Sequence, residues 1–151
     1  NKKIGSIIGG SERDGERVKE KFLRATPSLR NLREQVDAVS KSNRRWLKGL
    51  DGRKIIIRRP HAALNSLLQG AGATVMKVAL TKLEQYVIDK QIKAYPVVNV
   101  HDEFQYEVEQ ERANEFGKLA VQSIIDAGKK LNLRCKLNGE YKIGNNWAET
   151  H

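Results

Sequence analysis

The feature that most constrains the fold is a long helical segment, about residues 61–90, which Pro60 opens. Directly after it, VVNVHDEFQYEV (97–108) has the pattern of a β-hairpin, and another helix is predicted over about residues 109–131. Long helices beside an antiparallel hairpin indicate an α+β fold. The apolar stripe of the long segment recurs at helical spacing and consists of Leu64, Leu68, Ala71, Val75, Val78, Ala79, Leu83 and Tyr86.

The segments on either side predict two regions. Residues 1–44 have the pattern of short helices with charged outer faces, and residues 45–151 alternate helix and strand. Asp51-Gly52 indicates a first hairpin, and the end of the chain predicts a short strand with a turn at Asn138-Gly139. Because Asn1 lies inside a helix-like pattern, we expect a fragment of a longer protein or a processed product.

Composition limits the class of protein. The 28 Lys and Arg residues against 18 Asp and Glu leave a formal charge of +10, which favours a polyanionic partner, although a merely soluble basic protein fits as well. Cys135 is the only cysteine, so no intramolecular disulfide can form and a reducing compartment is expected. We expect no signal peptide, and the sequence has no apolar run that approaches the roughly 20 residues needed to span a bilayer.

The acids between the two strands of the predicted hairpin invite two interpretations. Alternation places Phe104, Tyr106 and Val108 on one face of the exit strand, and the valine-rich entry strand is expected to be buried on both faces. Asp102 would then lie at the tip of an anchored ribbon, where a carboxylate suits Mg²⁺. An ordinary polar turn explains the same residues and is the commoner case. His101 has no second His or Cys at ligand spacing, which argues against zinc.

A polar row follows the long helix. His61, Asn65 and Gln69 are spaced four residues apart and therefore share one helix face. Their amides could bond the acceptors of the DNA minor groove, but a solvated helix face is the simpler interpretation.

A basic cluster surrounds the first predicted hairpin. Such residues could hold a DNA backbone without reading sequence, or they could be a charged edge that prevents strand aggregation. The cluster comprises Arg44, Arg45, Lys48, Arg53, Lys54, Arg58 and Arg59.

Taken together, four segments resemble the carboxyl-terminal part of family A DNA polymerases, the DNA polymerase I family, and the phage replicative branch most of all. VHDE resembles motif C, HAALNSLLQGAGA resembles the helix before it, RRWLKGLDGRK resembles the Leu-x-Gly-Arg hairpin, and NNWAETH resembles the family's carboxyl end. No DYSxxE stretch of motif A and no RxxxKxxxFGxxYG fingers helix is present. The resemblance implies that residues 1–44 are the last fingers helices and 45–151 the later part of the palm, with its antiparallel hairpins packed against long helices.

The resemblance also implies roles at the hairpin tip. Asp102 would be a catalytic metal ligand, Glu103 its acidic neighbour with a supporting role at the metal, and His101 a residue near the primer 3′ end. Two Mg²⁺ ions would act in the intact enzyme, and we expect weak or absent binding in this chain alone.

For DNA, the resemblance implies that Asn65 and Gln69 contact the primer-template minor groove, with dNTP as the second substrate. His61 stands where many members carry Arg, and Arg53 matches the hairpin Arg, with a structural or backbone-contacting role. The remaining polymerase domains are the expected protein partners, in the cytoplasm of a phage-infected or bacterial cell and with no membrane association. The chain alone is expected to be inactive; the alternatives are a non-catalytic duplex-binding module and one half of a naturally split polymerase.

Overall fold

The computed structural model describes residues 2–150 and has the predicted α+β character. Its strands form two separate two-stranded sheets, β1-β2 and β3-β4. No helix within residues 2–150 combines the length and the apolar character that crossing a bilayer requires. In chain order the elements are α1 (Lys2–Ile7), α2 (Glu12–Ala25), α3 (Pro27–Lys41), β1 (Trp46–Lys48), β2 (Lys54–Ile56), a 3-10 turn (Pro60–Ala62), α4 (Ala63–Asp89), β3 (Ala94–Val100), β4 (Glu103–Val108), a 3-10 turn (Gln110–Arg112), α5 (Ala113–Lys130) and α6 (Trp147–Thr150).

The chain forms two compact units. The first contains the residues up to 47 together with 55–66, and the second contains 48–54 together with the residues from 67 onward. The assignment of residues 1–44 to fingers and 45–151 to palm stays a prediction.

In the first unit, local capping defines the helix boundaries. The Ser11 hydroxyl accepts a hydrogen bond from the Asp14 N–H at 3.3 Å, and the Asp14 carboxylate accepts one from the Ser11 N–H at 2.9 Å. This reciprocal capping box begins α2, and Pro27 opens α3 at a position where a missing N–H costs nothing. The core of the unit contains the buried side chains of Val36, Leu47, Ile57 and Ala63.

In the second unit, α4, α5 and the β3-β4 hairpin share one core. Leu83 and Val87 of α4 pack with Ile92 and with Phe116 and Ala120 of α5. The apolar face of β4 covers this cluster and consists of Phe104, Tyr106 and Val108, as the alternation predicts. The Tyr106 and Phe116 rings lie 4.9 Å apart between centroids, so β4 is anchored to α5 by an aromatic contact.

The carboxyl end of α4 turns the chain into the hairpin. Gln91 adopts a left-handed conformation with φ of 52°, and the Ile92 N–H donates to the Val87 carbonyl at 3.0 Å, as in a Schellman motif. The Arg112 guanidinium donates to the Lys90 carbonyl at 2.9 Å and thus satisfies another acceptor at this helix end.

The entry strand departs from the prediction, because β3 is not buried on both faces. Tyr95 and Val97 are 64% and 61% exposed, and Val100 is 46% exposed. The hairpin packs on the α4-α5 core through Ala94 of β3 and the apolar face of β4, and the exposed β3 side chains are not part of that core. A register shift between Pro96 and Val98 also displaces Val97 from the regular alternation.

The predicted terminal strand and its turn at Asn138-Gly139 are wrong: residues 133–146 form neither a strand nor a hydrogen-bonded turn. This segment instead packs along α5, where glycines leave room for its side chains. The Tyr141 ring occupies the space that a Cβ of Gly117 would fill, and Leu137 packs against Gly128. Side-chain packing on a helix therefore replaces the strand pairing that the pattern predicted.

Candidate functional site

A two-residue turn closes the β3-β4 hairpin. Val100 pairs with Glu103, so His101 and Asp102 are the two turn residues. His101 has a φ of 54°, and a positive φ at the first turn position matches the right-handed twist of a tight hairpin. Both turn residues are exposed. Asp102 thus lies in the turn at the tip of the hairpin, and the apolar face of β4 packs against the core.

Glu103 lies at the first residue of β4 and is half-buried. The Gln105 amide nitrogen donates to its Oε1 at 2.6 Å, because side chains two residues apart share one face of a strand. This partner was not predicted from the sequence, although the alternation places both residues on one face.

The carboxylates of Asp102 and Glu103 provide the oxygen ligands that Mg²⁺ prefers. Mg²⁺ commonly takes only one or two protein carboxylates and completes its shell with water and phosphate oxygens, so this pair fits one part of such a site. Among residues 2–150, no group of three or more His, Cys, Asp or Glu side chains is placed to hold a metal ion.

The predicted polar row begins before the long helix. His61 lies in the 3-10 turn Pro60–Ala62, whereas Asn65 and Gln69 lie in α4, one helical turn apart. All three side chains are exposed. Because 3-10 and α-helical geometry differ, only Asn65 and Gln69 keep the regular four-residue relation within α4.

Arg53 is engaged within its own turn. Its Nε donates to Asp51 Oδ2 at 2.6 Å, and its backbone N–H donates to Asp51 Oδ1 at 3.2 Å. The side-chain bond from Arg53 lowers the pKa of Asp51 below its ordinary value. The Gly49 N–H donates to the Arg53 carbonyl at 2.8 Å, and Gly52 adopts a φ of 85°. Arg53 therefore stabilises this turn, while its side chain stays 59% exposed.

Comparison with known proteins gives consistent matches over the chain. The family model that describes DNA polymerase family A matches residues 3–149 of the sequence. The DNA-directed DNA polymerases of Enterobacteria phage T3 and Escherichia phage T7 are each 38% identical over 175 residues. These alignments cover 100% of this chain but 24% of each relative, so the chain spans about a quarter of their length. The DNA-directed DNA polymerase of Escherichia phage Phieco32 is 35% identical over 99% of the chain.

A solved structure shares the fold. The POL domain of Pol1 from M. smegmatis, in complex with DNA primer-template and dNTP, superposes with a TM-score of 0.71. The match covers 82% of this chain and 24% of that chain at 20% identity, which establishes similarity of fold. The family match over residues 3–149 and the phage relatives go further: the chain belongs to DNA polymerase family A.

Proposed function

We propose that this chain is the carboxyl-terminal part of a DNA-directed DNA polymerase, in which it contributes to template-directed addition of nucleotides to a primer. The observation that carries the proposal is the exposed position of Asp102 at the tip of a core-anchored hairpin. Support comes from phage relatives that are DNA-directed DNA polymerases and from a structural neighbour bound to primer-template and dNTP.

In this proposal Asp102 is the principal protein ligand of Mg²⁺ and Glu103 its acidic neighbour. The metal ions, when bound, neutralise charge on the attacking and leaving oxygens of the displacement at phosphorus. The protein's contribution is rigid placement. Packing of Phe104 against the core cluster and of Tyr106 against Phe116 holds the strand that follows the turn, so Asp102 needs little reorganisation when the substrate binds. His101, the other turn residue, would lie near the primer 3′ end.

The exposed amides of Asn65 and Gln69 are proposed to contact the duplex minor groove. Each amide offers both a donor and an acceptor, so it can test the shape of the groove without selecting a sequence. His61 is proposed as a neighbouring duplex contact. Arg53, already paired with Asp51, would add charge near the DNA backbone rather than a dedicated contact.

The chain by itself is proposed to be inactive. Asp102 alone cannot hold both Mg²⁺ ions, and the stretches expected for motif A and for the nucleotide-binding lysine are not in this sequence. The other polymerase segments are therefore the proposed protein partners. The phage and bacterial sources of the relatives support a site of action in the bacterial cytoplasm.

Primer extension by the complete polymerase carrying Asp102→Asn tests the proposal. We expect kcat to fall by at least about a thousandfold, because the neutral amide is a poor ligand for Mg²⁺. The affinity for primer-template should stay within about twofold, since Asp102 does not hold the duplex. Glu107→Gln is the matched control, because it removes an exposed acid from β4, the strand that follows the turn, and should retain normal extension. Near-normal nucleotide incorporation by Asp102→Asn would remove this residue from the mechanism.

The charge of +10 also favours a second candidate, a non-catalytic duplex-binding module. Such a module binds duplex with strong salt dependence and without regard to Mg²⁺ or Asp102. A titration of this chain with duplex at several salt concentrations, with and without Mg²⁺, measures that property. Loss of extension in the complete Asp102→Asn polymerase favours the enzyme over the module. A separate natural chain that carries motifs A and B, in place of coding sequence continuous with Asn1, would identify a split polymerase.

A further inference from the structure

The amide of Gln105 has no role in the proposed function. It lies on the face of β4 opposite to Phe104 and Tyr106, and its nitrogen donates to Glu103 Oε1 at 2.6 Å. Across the hairpin Gln105 pairs with Val98, and Glu103 pairs with Val100. The hydrogen bond is partly buried, so less water competes for it than at an open surface.

The type of side chain that donates to Glu103 matters, because Glu103 is an acid next to a second acid, Asp102. A glutamate side chain has three rotatable bonds, and its carboxylate would be repelled by the neighbouring Asp102. A Lys or Arg partner would restrain Glu103 but would also cancel the negative charge that a cation needs. A glutamine amide restrains the carboxylate and adds no positive charge of its own.

We propose that Gln105 is a positioning residue for Glu103. Its amide restricts the Glu103 carboxylate to one orientation beside the hairpin turn, and Gln105 itself touches neither substrate nor metal. The inference rests on the proposed function, because it requires Asp102 and Glu103 to form a cation site.

A double-mutant cycle in the complete polymerase tests this role. Gln105→Leu, which is close in size and cannot donate, should lower kcat about tenfold and raise the Mg²⁺ concentration needed for half-maximal rate. The KM for dNTP and the Kd for primer-template should be unchanged. In a Glu103→Gln background the same Leu substitution should have no further effect on kcat. Gln85→Leu is the matched control, since it removes a Gln amide that donates to Asp89 at 2.8 Å on an exposed helix face, and it should leave kcat unchanged.

The side-chain amide of Gln105 gives a second readout, in NMR spectra of this 151-residue chain. We expect its proton resonances to shift on Glu103→Gln and to stay in place on Glu107→Gln. A normal kcat for Gln105→Leu or for Glu103→Gln would overturn the positioning role. So would a loss of kcat on Gln105→Leu that is the same with Glu103 present as in the Glu103→Gln background. These results are distinct from failure of the proposed function, which is reported by near-normal extension with Asp102→Asn.

Discussion

Replacing Tyr86 by Phe should destabilise the second unit measurably, because this hydroxyl joins α4 to α5. The Tyr86 hydroxyl donates to Asp126 Oδ2 at 2.6 Å across 40 positions of sequence. The same carboxylate accepts bonds from Gln122 at 3.0 Å and Lys129 at 2.8 Å. The Lys129, Tyr86 and Gln122 bonds together hold the pKa of Asp126 well below its ordinary value.

The size of the effect follows from the hydrogen bond. A bond to an ionised group contributes about 1.5–3 kcal/mol to the free energy of unfolding. The Asp126 side chain is 22% exposed and keeps Lys129 and Gln122 in the variant, so it is not left without partners. We therefore expect Tyr86→Phe to cost about 1.5 kcal/mol near pH 7, at the lower end of that range.

The cost should depend on pH with a definite sign. Since the folded pKa of Asp126 is lowered, its stabilisation is complete above the unfolded pKa of about 3.9 and is lost as pH falls through the folded pKa. The Asp126 bond raises the pKa of Tyr86, so the contribution of the phenol is complete below its unfolded pKa of about 10 and is lost as pH rises through the folded pKa. The difference in the free energy of unfolding between wild type and Tyr86→Phe should therefore be largest between about pH 4 and about pH 10.

Urea denaturation at a series of pH values, followed by helical circular dichroism, measures the difference, and amide exchange in α5 localises it to the second unit. Tyr95→Phe removes the hydroxyl of an exposed tyrosine on β3 and is the matched control. A loss below about 0.5 kcal/mol near pH 7, smaller than a typical hydrogen bond, would refute the reasoning. A loss that stays the same above about pH 10, where the phenol of the unfolded chain ionises, would also refute it.

Three further substitutions test the helices and the packing of the same unit. Gly117→Ala would drive a Cβ into the Tyr141 ring and should cost about 1–3 kcal/mol and speed proteolysis of residues 133–146. Gly72→Ala, where a Cβ meets open space within an exposed part of α4, should instead stabilise by about 0.5–1 kcal/mol, and the same denaturation assay compares the two. Leu83→Ala removes a side chain with 0% exposure and should cost about 2–5 kcal/mol by urea denaturation; a cost below about 1 kcal/mol would show that the site is loosely packed.

The apolar stripe of the long helix was predicted only in part. Ala79 and Leu83 are buried as expected, but Leu68 is 48% exposed, and Met76 and Val87 belong to the buried side instead. Periodicity identifies a helix because it follows from local backbone geometry. Which residues of the helix are buried depends on the elements that pack against it, and the sequence pattern does not specify them.

The geometry of the candidate site was likewise predictable only in part. The alternation in β4 and the position of the two-residue turn were predictable, and they place Asp102 at the tip with Phe104 and Tyr106 beneath. The left-handed conformation of His101 was not predictable from composition, since the need for it arises from the pairing of Val100 with Glu103. The hydrogen bond from Gln105 to Glu103 depends on side-chain rotamers that the strand pattern leaves open.

By itself the sequence determined the order of helices and hairpins, the face of β4 that meets the core, and the family motifs with their acids. These features are local, because they follow from side-chain period and turn chemistry within a few residues. Only the tertiary structure decided that β3 is exposed, that residues 133–146 pack on α5, and that Tyr86 meets Asp126. Such contacts join residues far apart in the chain, so their free energy depends on how whole elements pack together and not on any local pattern.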